Sequence, residues 1–297
     1  MPAVVVNGPA SWNTLVRLDA LPQPRSQTLA ARSVEHGLGG TAAGKAVTLA
    51  ALGVDVLLST VLGDDEPGTQ VRTGLDRPGL RVLGRPAARG RTEQHLNLLA
   101  QNGDRVSIYL ELPQVQGPTP SGLLAALREA PVAVLDLAEH SRPLLEAARA
   151  SRVPVWCDVH DDDGAAEYPR AFAQVADVLL VSAARLDDPR RYLDARVVAG
   201  ARLAVCTAGS AGALARDAEG WWEVPAVRVD VVDPEGAGDA FLAGLLAAHL
   251  DGLPTPDGLA LASAVAALAV AQPGLGGGSV TRAQADALAG SVRVRRA

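Results

Sequence analysis

The chain has 297 residues, of which 48% are hydrophobic and 20% are charged, and its formal net charge is −6. This composition indicates a folded globular protein with a sizeable core and excludes a disordered chain. The acidic balance gives no electrostatic footprint for nucleic acid or an anionic membrane. The longest apolar run, 13 residues from Leu259, is shorter than a membrane span, and the N-terminus has no basic region typical of a signal peptide. We therefore expect a cytoplasmic protein without nucleic-acid or membrane partners.

Short runs rich in Val and Leu alternate with helical patterns along most of the chain. The apolar runs predict strands at Val4–Asn7, Val54–Val61, Val132–Asp136, Val155–Asp158, Val178–Ser182 and Leu203–Thr207. Helical periodicity predicts helices at Thr41–Leu52, Ser121–Glu129, Ser141–Ala150, Gly238–Leu250, Leu259–Ala271 and Thr281–Ala289. This alternation favours an α/β fold in which helices flank both faces of a mostly parallel central sheet.

Two segments interrupt the alternation. Residues 93–111 are typical of a β-hairpin with Asn102 and Gly103 at the turn, and residues 26–34 resemble a further exposed strand. Paired together, they would form a small sheet outside the main layer. Because the chain contains no repeat and no low-complexity linker, we expect one domain over residues 1–297, with a β-sheet lid built from segments near 10–34 and 86–112.

The glycine-rich run GLGGTAAGKA, residues 37–46, is one residue short of a phosphate-binding P-loop. Ala46 stands where that loop needs the hydroxyl that holds magnesium. A dinucleotide-binding turn would need a buried strand directly before it, and Glu35 and His36 interrupt any such strand. We interpret the run as a tight turn that opens the helix beginning at Thr41.

Three further residues stand out by type. Lys45 is the only lysine, against 26 arginines, and a surface or structural role is a simpler interpretation than a ligand contact. Cys157 and Cys206 both lie inside apolar runs and are predicted to be buried thiols, without metal-binding spacing.

The segment VVDPEGAGDAFLAGLLAAHL, residues 231–250, carries the strongest candidate site. We expect a strand ending at Val232 to lead into Asp233, a turn over residues 236–238, and a helix that starts near Asp239. Amides of small residues at the positive end of a helix form an anion site. A carboxylate there suits a general base that accepts a proton from an attacking hydroxyl in phosphoryl transfer, and it equally suits a helix N-cap.

Several segments together resemble one known family. GLGGTAAGKAVTLAALGVDVLLSTVLGDDEPG and VVDPEGAGDAF resemble, in this order, the two signatures of the ribokinase-like (PfkB) family of carbohydrate kinases. TEQHLNLLAQNGDR resembles the lid hairpin of that family, and CTAGSAGAL resembles its T-x-G-x-x-G nucleotide turn. The resemblance covers nearly the whole chain and implies an enzyme that moves the γ-phosphate of ATP to a hydroxyl of a small sugar.

The resemblance also implies cofactors and residue roles. ATP would bring Mg²⁺, bound mainly through ATP and water rather than by a protein metal site, and a monovalent cation and a homodimer formed through the lid are compatible with the family. Asp239 would be the base, and the amides of Gly236, Ala237 and Gly238 would stabilise the γ-phosphate. The residues implied at the acceptor, besides Asp239, are Asn13, Gly39, Gly40, Gly44 and Glu139. The residues implied at ATP are Ser182, Arg185, Thr207, Gly209, Gly212, Asp233, Gly236 and Gly238.

Some positions depart from the family pattern. Asn13 replaces the usual Asp, Gly44 a common substrate-binding Asn, and Pro234 a Thr. Ser182 and Arg185 occupy an N-x-x-E motif whose Glu helps to organise magnesium-bound water, so Arg185 inverts the local charge. Two alternatives therefore remain open: a nucleoside kinase of the same fold, which Asn13 suits, and a catalytically weakened homologue that binds a sugar or nucleoside, which Arg185 favours.

Overall fold

The computed structural model describes residues 3–101 and 103–297, and within them the strands form two sheets. In chain order the strands are β1 (Val4–Asn7), β2 (Ser11–Leu18), β3 (Ser33–Gly39), β4 (Val56–Leu62), β5 (Leu80–Pro86), β6 (Gln94–Ala100), β7 (Arg105–Glu111), β8 (Ala133–Leu135), β9 (Val155–Asp158), β10 (Val178–Ser182), β11 (Leu203–Thr207), β12 (Ala213–Asp217), β13 (Gly220–Val224) and β14 (Arg295–Arg296). The helices are α1 (Thr41–Ala51), α2 (Glu66–Leu75), α3 (Ser121–Glu129), α4 (Arg142–Ser151), α5 (Glu167–Ala173), α6 (Pro189–Val198), α7 (Ala237–Leu250), α8 (Thr255–Val270) and α9 (Arg282–Ala289).

The larger sheet has ten strands in the order β14-β13-β12-β11-β10-β9-β8-β1-β4-β5. The seven strands from β11 to β5 are parallel, whereas β12, β13 and β14 are joined antiparallel at one end. The predicted α/β fold with a mostly parallel sheet is therefore confirmed.

Helices bury both faces of this sheet, as the apolar runs of its strands require. Along β1, Val4 and Val6 join one core cluster and Val5 joins the other, because successive side chains point to opposite faces. The first cluster is closed by apolar residues of α1, α7 and α8, and the second by residues of α3, α4, α5 and α6. The free cysteines Cys157 and Cys206 are buried, as predicted. In the described parts of the chain, no helix is both long and apolar enough to cross a membrane.

The smaller sheet is the lid, with strands in the order β3-β2-β6-β7. The hairpin predicted over residues 93–111 corresponds to β6 and β7, although Asn102 at its turn lies outside the described residues. The strand predicted over residues 26–34 is wrong in its bounds, because β3 begins only at Ser33. Its predicted pairing with the hairpin is also wrong, since β2 lies between β3 and β6.

Two further local predictions are wrong. No strand ends at Val232: its backbone amide donates to the carbonyl of Val270 in α8, and its side chain is 52% exposed, so the paired valines do not mark a buried strand. The glycine run is also not a tight turn throughout, because residues 37–39 continue β3. Within this run only Gly40, at the N-cap of α1, has a positive φ, of 91°.

Candidate active site

One edge of the main sheet gathers polar residues from five neighbouring strands. The parallel strands β1, β8, β9, β10 and β11 all end at this edge, because parallel strands share one direction. Their last residues, or the residues directly after them, are Asn7, Asp136, Asp158, Ser182 and Thr207. The carboxyl edge of a parallel sheet is where open α/β proteins bind ligands.

The N-terminus of α7 lies at the same edge and is suited to an anion. Its N-cap, Gly236, has φ of 74° and is followed directly by Ala237 and Gly238, and within the described residues no side chain caps this end of the helix. The first amides of a helix lack intrahelical partners and carry the positive end of the helix dipole. The turn is therefore suited to donate hydrogen bonds to a phosphate, and its contact with the γ-phosphate stays a prediction.

Asp239 lies in the first turn of α7 and is 7% exposed. Its Oδ1 atom accepts a hydrogen bond of 2.6 Å from Nζ of Lys45. Burial raises the pKa of the Asp239 carboxyl to about 6, against the opposing attraction of Lys45 and with a further rise caused by Asp136. A carboxylate whose pKa is this close to neutrality is a stronger base than an ordinary aspartate and is still ionised at pH 7.

Lys45 is completely buried on α1 and binds three carboxylates. Its Nζ atom lies 2.6 Å from Asp239, 3.1 Å from Asp136 and 3.6 Å from Asp158. Burial alone would lower the pKa of Lys45, but the three carboxylates together raise it above its ordinary value. Lys45 and Asp239 both have raised pKa values because the lysine meets three opposite charges, whereas the aspartate is desolvated and meets two like charges. The surface role considered for Lys45 is therefore wrong, because its side chain is completely buried.

Three of the glycines predicted at the acceptor pack closely against other residues, where a side chain would not fit. A Cβ atom on Gly39 would lie 2.1 Å from Nδ2 of Asn13, and one on Gly40 would lie 2.5 Å from the carbonyl oxygen of Pro9. A Cβ atom on Gly44 would lie 2.7 Å from Oδ2 of Asp239. These close approaches explain the glycines structurally, and contacts of their amides with an acceptor stay a prediction.

Asn13 lies on β2 of the lid and is 5% exposed. Its Oδ1 atom accepts a hydrogen bond from the Ser11 hydroxyl, which fixes the orientation of the amide. Asn13 also lines a cavity of about 200 Å³ between the lid and the main body. The other residues that line this cavity are Leu15, Glu35, His36, Gly37, Leu38, Asp233, Glu235, Pro273, Gly274 and Leu275.

The lid is joined to residues 233–235, which directly precede the turn over residues 236–238. Arg17 of β2 lies 3.3 Å from Asp233, which is only 1% exposed, and the same carboxylate accepts hydrogen bonds from the amides of Glu235 and Gly274. Glu235 accepts from Asn97 of β6 at 3.2 Å and pairs with Arg105 of β7 at 3.3 Å. Asp233, predicted at ATP, is thus held by its own chain, and its contact with ATP stays a prediction.

The residues predicted at ATP lie at the ends of β10 and β11. The Thr207 hydroxyl donates to the carbonyl of Val181, and Gly209 and Gly212 have φ of 53° and 90° in the turn that follows. Ser182 begins the short 3₁₀ turn Ala183–Arg185. Arg185 binds Asp163 at 3.1 Å and is more than half exposed, so its charge is shared with a carboxylate.

A second cavity, of about 530 Å³, lies beside this turn but away from Asp239. Its lining includes Ala208 and Ala211 of the turn, and also Arg190 and Glu223. It is larger than the cavity beside the lid, and neither cavity is lined by Asp239 or by residues 236–238.

Glu139, predicted at the acceptor, lies in the short 3₁₀ turn Glu139–Ser141. Its side chain is 74% exposed and its carboxylate is 4.0 Å from Arg142. The structure therefore does not bring Glu139 into the Asp239 cluster, and its contact with an acceptor stays a prediction.

Sequence reasoning missed Asp136, Asp158, Arg17, Asn97 and Glu235. Asp136 and Asp158 do carry a signal, because each lies at the carboxyl end of a predicted strand, where ligand sites of α/β proteins form. The lid residues and Glu235 carry no such signal, since only the tertiary fold brings their partners close.

The donor groups at this edge fit ATP better than they fit a metal held by the protein alone. The uncapped turn of α7 can accept a phosphate. In residues 3–101 and 103–297, no group of three or more His, Cys, Asp or Glu side chains could hold a metal ion, and Lys45 lies at the centre of the three converging aspartates. Mg²⁺ commonly uses few protein ligands when it binds with substrate phosphates.

Comparison with known proteins identifies the family. The sequence profile described as pfkB family carbohydrate kinase matches residues 3–282. The chain is 31% identical to acarbose 7(IV)-phosphotransferase of Actinoplanes sp. over 94% of its own length and 96% of that protein. It is 30% identical to the ATP-dependent ribose-1-phosphate kinase of Halopiger xanaduensis, over 92% and 94% of the two chains. The solved structure of the microbiome-derived acarbose kinase Mak1 superposes with a TM-score of 0.84 at 26% identity, covering 97% of this chain and 98% of the other.

The chain belongs to the PfkB family of carbohydrate kinases. The family predicted from the two signatures is thereby confirmed. Membership makes the protein a carbohydrate kinase and implies ATP as the phosphoryl donor.

Proposed function

We propose that this kinase transfers the γ-phosphate of ATP to a hydroxyl of a small sugar, with Asp239 as the general base. The observation that carries the proposal is the position of a buried carboxylate, with a pKa of about 6, in the first turn of the uncapped helix α7. Asp239 accepts the hydroxyl proton as the oxygen attacks the phosphorus. The catalytic contribution of such a base is commonly about 10²–10⁴-fold.

The amides of Gly236, Ala237 and Gly238 stabilise the negative charge on the transferring phosphate. The turn positions them before the reaction begins, and the Ala237 amide, which donates to the carbonyl of Pro234 at 3.4 Å, exchanges that bond for the phosphate. Thr207, Gly209 and Gly212 hold the nucleotide at the neighbouring strand end. When bound, ATP supplies the phosphoryl group, and its Mg²⁺ neutralises phosphate charge.

The acceptor lies between the lid and Asp239 in this proposal. Asn13 supports it, because its amide can both donate to and accept from sugar hydroxyls. Contacts of Arg17 with Asp233 and of Asn97 with Glu235 hold the lid over the site and help to exclude water. Two relatives are named for acarbose and for ribose 1-phosphate, which supports a carbohydrate acceptor and makes both compounds the first to test.

The experiment is a panel of acceptors, measured in two ways. A thermal-shift screen with and without ATP detects binding, because a ligand of the native state raises the melting temperature. A coupled assay of ADP formation detects turnover, with the panel containing monosaccharides, ribose 1-phosphate, acarbose and nucleosides. Potassium and sodium buffers compared in the same assay test the monovalent cation.

The outcomes separate the candidate functions. Turnover of a sugar supports the proposal, whereas turnover of nucleosides alone replaces it with the nucleoside-kinase alternative, which Asn13 also suits. A melting shift with sugars but no turnover under any condition would replace it with the weakened, binding homologue.

The lid also supports a homodimer, which stays part of the proposal. Arg17, Asn97 and Arg105 contact Asp233 or Glu235 from one face of the lid sheet. The alternate residues along these strands point to the other face, where Val34 is 55% exposed and Ile108 is 42% exposed. A second copy of the chain that covers this face would bury these side chains.

A further inference from the structure

Lys45, Asp136, Asp158 and Asp239 form one buried group, which we call the Lys45 cluster. Lys45 lies on α1 and Asp239 on α7. Asp136 directly follows β8, and Asp158 is the last residue of β9. The lysine is 0% exposed and donates a 2.6 Å hydrogen bond to Asp239 and a 3.1 Å bond to Asp136. Its Nζ atom is also 3.5 Å from the carbonyl oxygen of Thr41. Four elements of the fold thus converge on one ammonium group.

This cluster is an inefficient way to stabilise a fold. Removing an ion from water costs several kcal/mol, and apolar side chains of similar volume often replace buried ion pairs without loss of stability. One ammonium against three carboxylates also leaves a formal excess of two negative charges when all are ionised. Stability therefore does not explain why the cluster lies against the proposed base.

The cluster controls both the place and the charge of Asp239. The Lys45 bond fixes Oδ1, and the missing side chain at Gly44 leaves the room that Oδ2 occupies, 2.7 Å from where a Cβ atom would lie. Gly44, which directly precedes Lys45 in α1, therefore leaves the space that the Asp239 carboxylate needs to accept the Lys45 bond.

We propose that Lys45 is a positioning residue of the phosphotransfer reaction, which fixes the Asp239 carboxylate and, in balance with Asp136 and Asp158, sets the pH range in which it accepts a proton. This inference rests on the proposed function of Asp239. Lys45 is fully buried and bonded to Asp239, so in this proposal it acts through Asp239.

Every charged group that faces Asp239 has a defined effect. Burial raises the pKa of Asp239 most, Lys45 lowers it, Asp136 and Asp158 raise it, and His160 lowers it. His160 lies 3.5 Å from Asp158 in the loop after β9. Burial raises the Asp239 pKa most, and the balance between Lys45 and the two neighbouring carboxylates then adjusts it.

Two substitutions must consequently move the titration of Asp239 in opposite directions. Lys45→Met removes the cation and should raise the midpoint by about one to three pH units, the usual effect of one nearby charge. Turnover at pH 7 should then fall by about two- to ninetyfold, which is the loss of ionised base when a pKa of about 6 rises to between 7 and 9, and it should recover as the pH rises. Asp158→Asn removes a like charge and should lower the midpoint.

The test measures this midpoint directly and does not depend on turnover. Carbon-13 labels in the aspartate carboxyl groups report the titration by NMR, and the signal of Asp239 is assigned by its loss in Asp239→Asn. The pH profile of kcat, measured with the acceptor identified above, is the second readout. If Lys45→Met fails to fold, the downward shift in Asp158→Asn still decides.

The outcomes are distinct. Opposite shifts of the NMR midpoint and of the acidic limb of kcat support the proposal. An unchanged midpoint in both variants, with only a lower melting temperature, would overturn it and leave Lys45 a structural residue. Opposite NMR shifts in a protein without turnover on any acceptor would reject the proposed function instead, and with it the catalytic consequence of the cluster.

Discussion

Gly44→Ala should displace the proposed base without removing it. The added Cβ atom would lie 2.7 Å from Oδ2 of Asp239 and 3.1 Å from its Cβ and Cγ atoms. Ordinary van der Waals contact begins near 3.4 Å, so the carboxylate must move by about 0.7 Å. The bond from Lys45 to Oδ1 limits how it can move, because the lysine is itself held by Asp136 and Asp158.

The expected loss is larger in rate than in stability. A misplacement of about 1 Å can cost roughly a hundredfold in rate, so turnover should fall by about 10- to 100-fold. Overpacking costs about 1–3 kcal/mol, whereas alanine within a helix is about 1 kcal/mol more favourable than glycine. The free energy of unfolding should therefore change by no more than about 2 kcal/mol.

The assay compares kcat, the Michaelis constants and the melting temperature of Gly44→Ala with those of Gly122→Ala. Gly122 lies near the start of α3, is exposed, and has open space where its Cβ atom would be, so its substitution controls for the change of glycine to alanine in a helix. That control should keep wild-type kinetics. A Gly44→Ala enzyme with turnover within about twofold of wild type would refute the proposed packing of Gly44 against a catalytic Asp239.

Three further predictions concern acceptor choice, magnesium and assembly. Asn13→Asp should change the relative rates with different acceptors and leave the Michaelis constant for ATP unchanged, and an altered ATP constant with the same acceptor profile would contradict it. Arg185→Glu should steepen the dependence on free magnesium, since it replaces a cation near the nucleotide turn with an anion beside Asp163; identical magnesium titrations would leave Arg185 without a phosphate role. Ile108→Asp should give a monomer in light scattering if the lid forms the dimer, and an unchanged mass would exclude that interface.

The sequence predicted the buried elements better than the exposed ones. The helix Ser121–Glu129 and the strands Val4–Asn7, Val155–Asp158, Val178–Ser182 and Leu203–Thr207 match the structure end to end, because their apolar patterns reflect burial. The same reasoning failed at residues 231–232, where two valines are exposed without a strand.

Only the local part of the candidate site could be predicted from the sequence. The motif around Asp239 is local, so the turn and the start of the helix follow from adjacent residues. Lys45 and Asp136 are 91 residues apart, and Lys45 and Asp239 are 194 apart, so no local pattern indicates that they meet. The only lysine of the chain drew notice by its rarity, but its partners required the fold.

The most direct test of the account is the turnover of Asp239→Asn with the acceptor found in the panel. Asparagine retains the side-chain volume and an amide oxygen that can accept the hydrogen bond from Lys45, but it cannot accept the proton. Turnover should fall by at least about a hundredfold, with ATP affinity and melting temperature retained. Near-normal turnover in this variant would contradict the assignment of Asp239 as the base.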